Sequence, residues 1–264
     1  GKKIAQETKI AFRRIARNTD VRTLIASLAS RMPCGDVASV LQVDNVLHNA
    51  FLLMILNSFI LDRIIRLRVI GTHVDYHYVR EAPILPLFHF EKHPKIALIA
   101  LILNAASVVF SPEWTHIKKY MNILFNSWKN LWCLTDKKRT EARVNAEIII
   151  AALEAISVND LLEIFKECDY PIDTITTNFA PTGFWRVDKD KDPELRHTVL
   201  TLVAFHDLEE KIRACGGDRE KGIEAFLNQN DGQGWMLPET LRLADYGLGH
   251  DERARRPQPV ASRL

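Results

Sequence analysis

The chain has 264 residues, 47% hydrophobic and 26% charged, the balance of a folded globular protein and not of a disordered one. A formal net charge of +2 does not point to nucleic acid, because a whole-chain sum averages over faces of opposite sign. Four scattered cysteines without a CxxC pair, and an N-terminal stretch without the pattern of a secretory signal, exclude a disulfide scaffold and fit a cytoplasmic protein.

Charge distribution is more informative than its sum. The first segment carries Lys2, Lys3, Lys9, Arg13, Arg14, Arg17, Arg22 and Arg31 against Glu7 and Asp20, and a second basic group follows at Arg63, Arg66 and Arg68. Residues 9–29 read as two β-strands around a polar turn at Asn18-Thr19-Asp20, with Ile10 and Phe12 on the first strand and Leu24 to Leu28 on the second. Residues 31–50 show no clear pattern. From Asp44 or Asn45 as a cap, apolar positions continue to Val69, with Gly71 where a C-terminal cap is expected, which predicts one long buried helix.

Val74 to Val79 reads as a short strand, and Ala82 to Leu87 as an extended segment that its prolines keep out of helix. Helices are then expected over Pro94 to Ser107, from Ser111-Pro112-Glu113 toward Cys133, over Lys137 to Ala155 and over Val158 to Cys168. Residues 172–192 read as a polar loop or hinge. A helix over Pro193 to Cys215 ends at Gly216-Gly217-Asp218, a short one covers Arg219 to Asn228, and the remaining tail is rich in loops. The apolar runs Phe51 to Leu61 and Ile96 to Phe110 are shorter than the roughly 20 residues needed to span a bilayer and are expected as core helices.

Residues 12–28, FRRIARNTDVRTLIASL, and the stretch within 51–87 that reads LNSFILDRIIRLRVIGTHVDYHYVREAPILPL carry an order of features that resembles a known module. It is similar to the target-recognition domain of large adenine-specific DNA methyltransferases of the type IIG restriction-modification or phage-defence kind. Residues 143–165 and 183–205 similarly resemble the helical regions that follow this domain in those proteins. The resemblance implies an α+β fold: a small mixed-sheet recognition domain with a long buried helix over 1–92, a helical region over 93–171 and a C-terminal helical, loop-rich extension over 172–264. It also implies double-stranded DNA as partner, together with a methyltransferase region of the same chain and other defence proteins.

The glycine-rich turn that binds S-adenosylmethionine in that family, and its Asn-Pro-Pro-aromatic motif, do not occur here. No catalytic residue is therefore assigned, and the cofactor S-adenosylmethionine is expected only in a parent protein. The opening Gly1-Lys2-Lys3, without a methionine, is read as part of such a parent.

Enzymes that modify a base take it out of the stack, while a separate surface reads and holds the duplex. Arg13, Arg14, Arg17 and Arg22 offer guanidinium groups suited to phosphates or to guanine O6 and N7, and Asn18, Thr19 and Thr23 add short hydrogen bonds. Arg63, Arg66 and Arg68 reach phosphates or else pair with Asp62 or Asp75, beside a tight turn that presents Thr72 and His73. The alternative is a solvated basic hairpin in a helical module that docks partner proteins.

His73 with His77, and His89 with His93, have a spacing that suits zinc only on a helix, which neither segment predicts, so no metal ligand is assigned. No GxSxG turn supports a hydrolase, and Glu209-Glu210 read as solvated charge. Trp114, Trp128 and Trp132 read as one buried helix face, whereas Trp185 and Trp235 fall in loops.

Overall fold

A computed structural model describes residues 7–43, 45–123, 127–168 and 183–264. The chain is α+β, mostly helical, and divides into two compact units, Gly1–Leu134 and Thr135–Leu264. The break does not fall after residue 92 as expected, because the helices that follow pack back onto the first long helix of the N-terminal unit.

The first unit begins with a three-stranded antiparallel sheet in the order β2-β1-β3, formed by Lys9–Arg13 (β1), Ala26–Ala29 (β2) and Ala38–Leu41 (β3). Period-two patterning puts Ile10 and Phe12 on the buried face, and Phe12 pairs with Ala26 on one side and Ser39 on the other. Strand β3 lies within the stretch that showed no pattern. All four of its residues are half-buried, so no alternation of apolar and polar residues marks it. The chain leaving β3 is held by Asn49, whose side-chain amide accepts from the Val43 N–H at 3.0 Å and donates to the Val43 carbonyl at 2.7 Å.

The expected single helix is two helices, Val46–Leu56 (α1) and Phe59–Arg68 (α2). Asn45 caps α1 by accepting from the Leu47 N–H at 2.7 Å; Asp44, the other expected cap, lies outside the described residues. The break at Asn57-Ser58 has a chemical cause. Ser58 adopts extended geometry (φ −71°, ψ 153°) and its hydroxyl accepts from the Leu61 N–H at 3.2 Å, starting a new helix.

The strand expected over Val74 to Val79 is confined to a bridge between Ile15 and His73, with the Val74 N–H donating to the Arg14 carbonyl at 2.7 Å. Tyr76–Arg80 then forms a short helix, α3, in which Val79 alone is buried. A 3-10 turn at Leu87–Lys92 places Phe90 against Phe51 of α1, ring centres 5.9 Å apart. Helices Lys95–Asn104 (α4) and Ser111–Tyr120 (α5) complete the unit, both packed on α1.

Helix α5 stops at Tyr120, short of Cys133, so the three tryptophans do not share a helix face. Trp114 is buried on α5 and its indole N–H donates to the Ala105 carbonyl at 2.9 Å. Trp128 and Trp132 join it from a separate 3-10 turn, with ring centres 6.3 and 5.2 Å apart along the chain of three.

In the second unit, Asp136–Leu153 (α6), Val158–Cys168 (α7) and Arg219–Gly232 (α9) all pack on His197–Ala214 (α8). Helices α8 and α9 approach so closely that a Cβ on Gly222 would lie 2.3 Å from Ile212 Cγ1. Gly216 (φ 70°) and Gly217 (φ 85°) make the left-handed turn between them. Residues 172–182 of the expected hinge, and the side chain of Trp185, lie outside the described residues.

The tail contains a short antiparallel pairing of Thr240–Leu241 (β4) with Gln258–Pro259 (β5), and the four-residue helix Glu252–Arg255 (α10) precedes β5. It is clasped to the 3-10 turn Pro193–Leu195 just ahead of α8: Asp192 pairs with Arg253 at 3.1 Å and Arg263 at 2.6 Å, and buried Glu194 with the same two arginines at 2.7 and 3.3 Å. Trp235 is buried and doubly bonded by Asn145 of α6, which accepts from its N–H at 2.9 Å and donates to its carbonyl at 2.8 Å. Among the described residues no helix is long and apolar enough to cross a membrane.

Candidate nucleic-acid interface

Two segments carry the candidate residues, the turn between β1 and β2 and the end of α2 with the turn that follows. Backbone pairing joins them. The Ala16 N–H donates to the Thr72 carbonyl at 3.1 Å, the Ile15–His73 bridge lies beside it, and the Val74 bond to Arg14 completes a short extension of the sheet. Arg17 and Asn18 are thereby brought next to Thr72 and His73.

A fully buried carboxylate, Asp62 on α2, organises the interior behind this surface. One oxygen accepts from the Leu24 N–H at 2.7 Å and the other from Arg66 at 3.0 Å, four residues along the same helix. Arg66 is itself buried, and its guanidinium also donates to the carbonyls of Asn18 at 2.7 Å, Asp20 at 2.8 Å and Val21 at 3.1 Å. Arg22 approaches Asp62 at 3.6 Å, donates to the Asn57 carbonyl and stacks on Phe59 with its guanidinium carbon 4.7 Å from the ring centre. Buried Thr23 donates to the Arg17 carbonyl at 3.2 Å.

The arginine-rich turn is thus built around an internal ion cluster. A buried carboxylate left without cations would cost several kcal/mol, so Asp62 requires Arg66, and Arg66 in turn fixes the carbonyls of the turn. Arg22, Thr23 and Arg66 are engaged inward. Arg14 is half-buried between Asp36 at 3.0 Å and Asp75 at 3.2 Å, so Asp75 takes Arg14 and not an arginine of α2. Arg13 donates to the Arg22 carbonyl at 2.6 Å and lies 3.6 Å from Asp20.

Facing solvent are Arg17, Asn18, Thr19, Arg68, Thr72 and His73, with Arg63 half-buried. Asp20 and Thr23 hold the Arg17 backbone, its N–H donating to the Asp20 carboxylate at 3.1 Å, while among the described residues no hydrogen bond or ion pair engages its guanidinium. Arg68 donates to the Glu81 carbonyl at 3.0 Å, and the Thr72 hydroxyl meets His73 Nδ1 at 3.1 Å. Two residues outside the predicted set proved central. Asp62 had a legible signal, an acid inside an apolar helix four residues before an arginine. Asn57 had a weaker one: its amide accepts from the Ala26 N–H and donates to the Ala26 carbonyl, both at 3.0 Å, locking α1 to the outer edge of β2.

His73 and His77 fall on a bridge and a helix, His89 and His93 on and just after a 3-10 turn. Among the described residues no three His, Cys, Asp or Glu side chains converge on a point that would hold a metal ion. A pocket bounded by Thr8, Gln42, Val46, Leu101 and Glu113 lies elsewhere in the unit, between the sheet and the helices. Compared with known proteins, the chain matches no protein-family model, no curated protein and no solved structure.

Charge separates along the division into units. Residues 1–134 contain 17 Lys and Arg against nine Asp and Glu, whereas residues 135–264 contain 18 against 24. The near-neutral whole therefore combines a basic first unit with an acidic second one.

Proposed function

We propose that the first unit binds double-stranded DNA in a sequence-dependent manner, as the recognition part of an adenine-specific DNA methyltransferase or restriction-modification enzyme. The observation that carries the reading is the charge asymmetry: an excess of eight basic residues in a unit whose two arginine-bearing turns are joined edge to edge. Arg13, Arg17, Arg63 and Arg68 serve phosphates, which fix position without reading sequence. Asn18, Thr19, Thr72 and His73 supply the neutral donors and acceptors that base edges require. Arg22, Thr23 and Arg66 support the turn from behind. Methyl transfer itself would come from a methyltransferase region carrying S-adenosylmethionine.

A second reading is a protein-docking module of a defence complex. It is favoured by exposed Val108 and Val109 on the 3-10 turn before α5 and by exposed Leu134.

Salt dependence separates the two. Binding through about four phosphates weakens about a hundredfold between about 50 and 200 mM salt, whereas apolar docking does not. An Arg17→Ala, Arg68→Ala chain, with the buried ion cluster intact, is expected to fold normally and to lower the salt slope by about one for each contact removed. Duplex binding measured by fluorescence anisotropy for both chains tests this. Salt-independent binding, or none at low salt by the folded wild-type chain, rejects the DNA reading.

A further inference from the structure

The turn between α2 and α3 presents an isoleucine in a setting that folding does not explain. Val69 and Val74 anchor the two ends of the turn in the core, while Ile70 between them is 92% exposed. Ile70 thus contributes no burial to the fold. The turn is nonetheless rigidly placed, since Thr72 and Val74 are bonded to the backbone of residues 14–16. Gly71 beside Ile70 has open space around it, with no atom within 4 Å of the position a Cβ would take, so the backbone here lies open to a partner. Ile15, opposite His73 in the bridge, is 53% exposed, and Leu67 on the last turn of α2 is exposed as well.

The chemistry around this apolar tip selects its partner. Solvent-facing Arg17 and Arg68 flank it, and Thr72 and His73 continue it. An apolar protein surface docking here would strip water from guanidinium groups without replacing it. A DNA duplex satisfies both kinds of group: its phosphates take the cations, and the C5-methyl of thymine is the apolar feature of the major groove.

We propose that Ile70 is a base-contacting, specificity-determining residue that packs against a thymine methyl in the major groove. The proposal rests on the DNA-binding reading above and assigns to one side chain the recognition of a thymine methyl, which phosphate contacts do not provide.

The test starts from a pool of duplexes with a randomised core, enriched separately with the full wild-type chain and with Ile70→Ala. Each thymine of the enriched wild-type site is then replaced by deoxyuridine, which removes only the methyl group. At one position uridine is expected to weaken wild-type binding about tenfold. The Ile70→Ala chain should be indifferent to that replacement while retaining its affinity for unrelated duplexes and its melting temperature. The proposal is overturned if Ile70→Ala enriches the same site with the same sensitivity to uridine. It is also overturned, with DNA binding intact, if the wild-type chain binds duplexes in a salt-dependent way yet enriches no sequence. Absence of any salt-dependent binding overturns the DNA-binding reading itself.

Discussion

Asp62 and Arg66 meet at 3.0 Å one helical turn apart on α2, the carboxylate fully buried and the guanidinium nearly so, and through this pair the helix holds the backbone of a turn more than forty residues earlier. Removing one partner leaves the other charged and desolvated. Asp62→Ala is therefore expected to destabilise the chain by about 3–5 kcal/mol, measured by urea denaturation, whereas the paired change Asp62→Leu, Arg66→Met costs less than the sum of its parts.

Asparagine amides recur as clamps on the N–H and carbonyl of a single residue, at Val43, Ala26 and Trp235. Each replaces both bonds that a neighbouring strand would supply. Asn57→Ala and Asn145→Ala are each expected to lower stability by about 1–3 kcal/mol, because a polar peptide group loses its partner at a site with little water. Equilibrium denaturation of the two variants checks this, and a loss below about 0.5 kcal/mol in both would show that water replaces the amide.

Gly222 permits the close contact of α8 with α9. With Ile212 Cγ1 at 2.3 Å and Ile212 Cα at 2.8 Å from the would-be Cβ, Gly222→Ala must push the helices apart, at a cost of about 1–3 kcal/mol. Adding Ile212→Ala should restore only part of the loss, since the backbone contact persists. Thermal melts of the single and double variants decide the point.

The clasp on the tail makes stability sensitive to acid. A hydrogen bond from Arg263, with the nearby charge of Arg253, holds the Asp192 carboxyl below its usual value against the opposing effect of partial burial. A depressed folded-state value means that the contribution is complete above the unfolded value of about 4 and disappears as pH falls through the folded one. Asp192→Asn should thus be less stable than wild type at neutral pH, and the difference in melting temperature should shrink below about pH 4. A difference that stays constant with pH would assign the effect to packing alone.

These details bear on what the residue pattern could reveal. The β1–β2 pair was legible because Ile10 and Phe12 alternate ahead of a turn, and α6, α7 and α8 because long apolar periodicity leaves few alternatives. The break between α1 and α2 was not, because apolar residues continue across it and only the side-chain bonds of Asn57 and Ser58 interrupt the helix. The segment from Tyr76 to Arg80 has strand-forming residues, yet five residues are too few for propensity to outweigh a local helical turn. At the site, pattern located the arginines but not their direction. Arg22 and Arg66 turn inward because Asp62 lies beneath them; the four-residue spacing of Asp62 and Arg66 signals their pairing, but not that the pair anchors a distant turn.

Strand β2 forms the margin of its sheet, where unpaired amide and carbonyl groups would ordinarily recruit another chain. Its outward groups are already taken at Ala26 by Asn57, and just before it the Leu24 N–H is taken by Asp62. Two side chains from neighbouring helices thereby take the place of a fourth strand at the start of this edge. The helix break and the buried carboxylate deny an incoming strand its foothold on this edge, so that a change meant only to weaken the fold at Asn57 would also expose a template for aggregation.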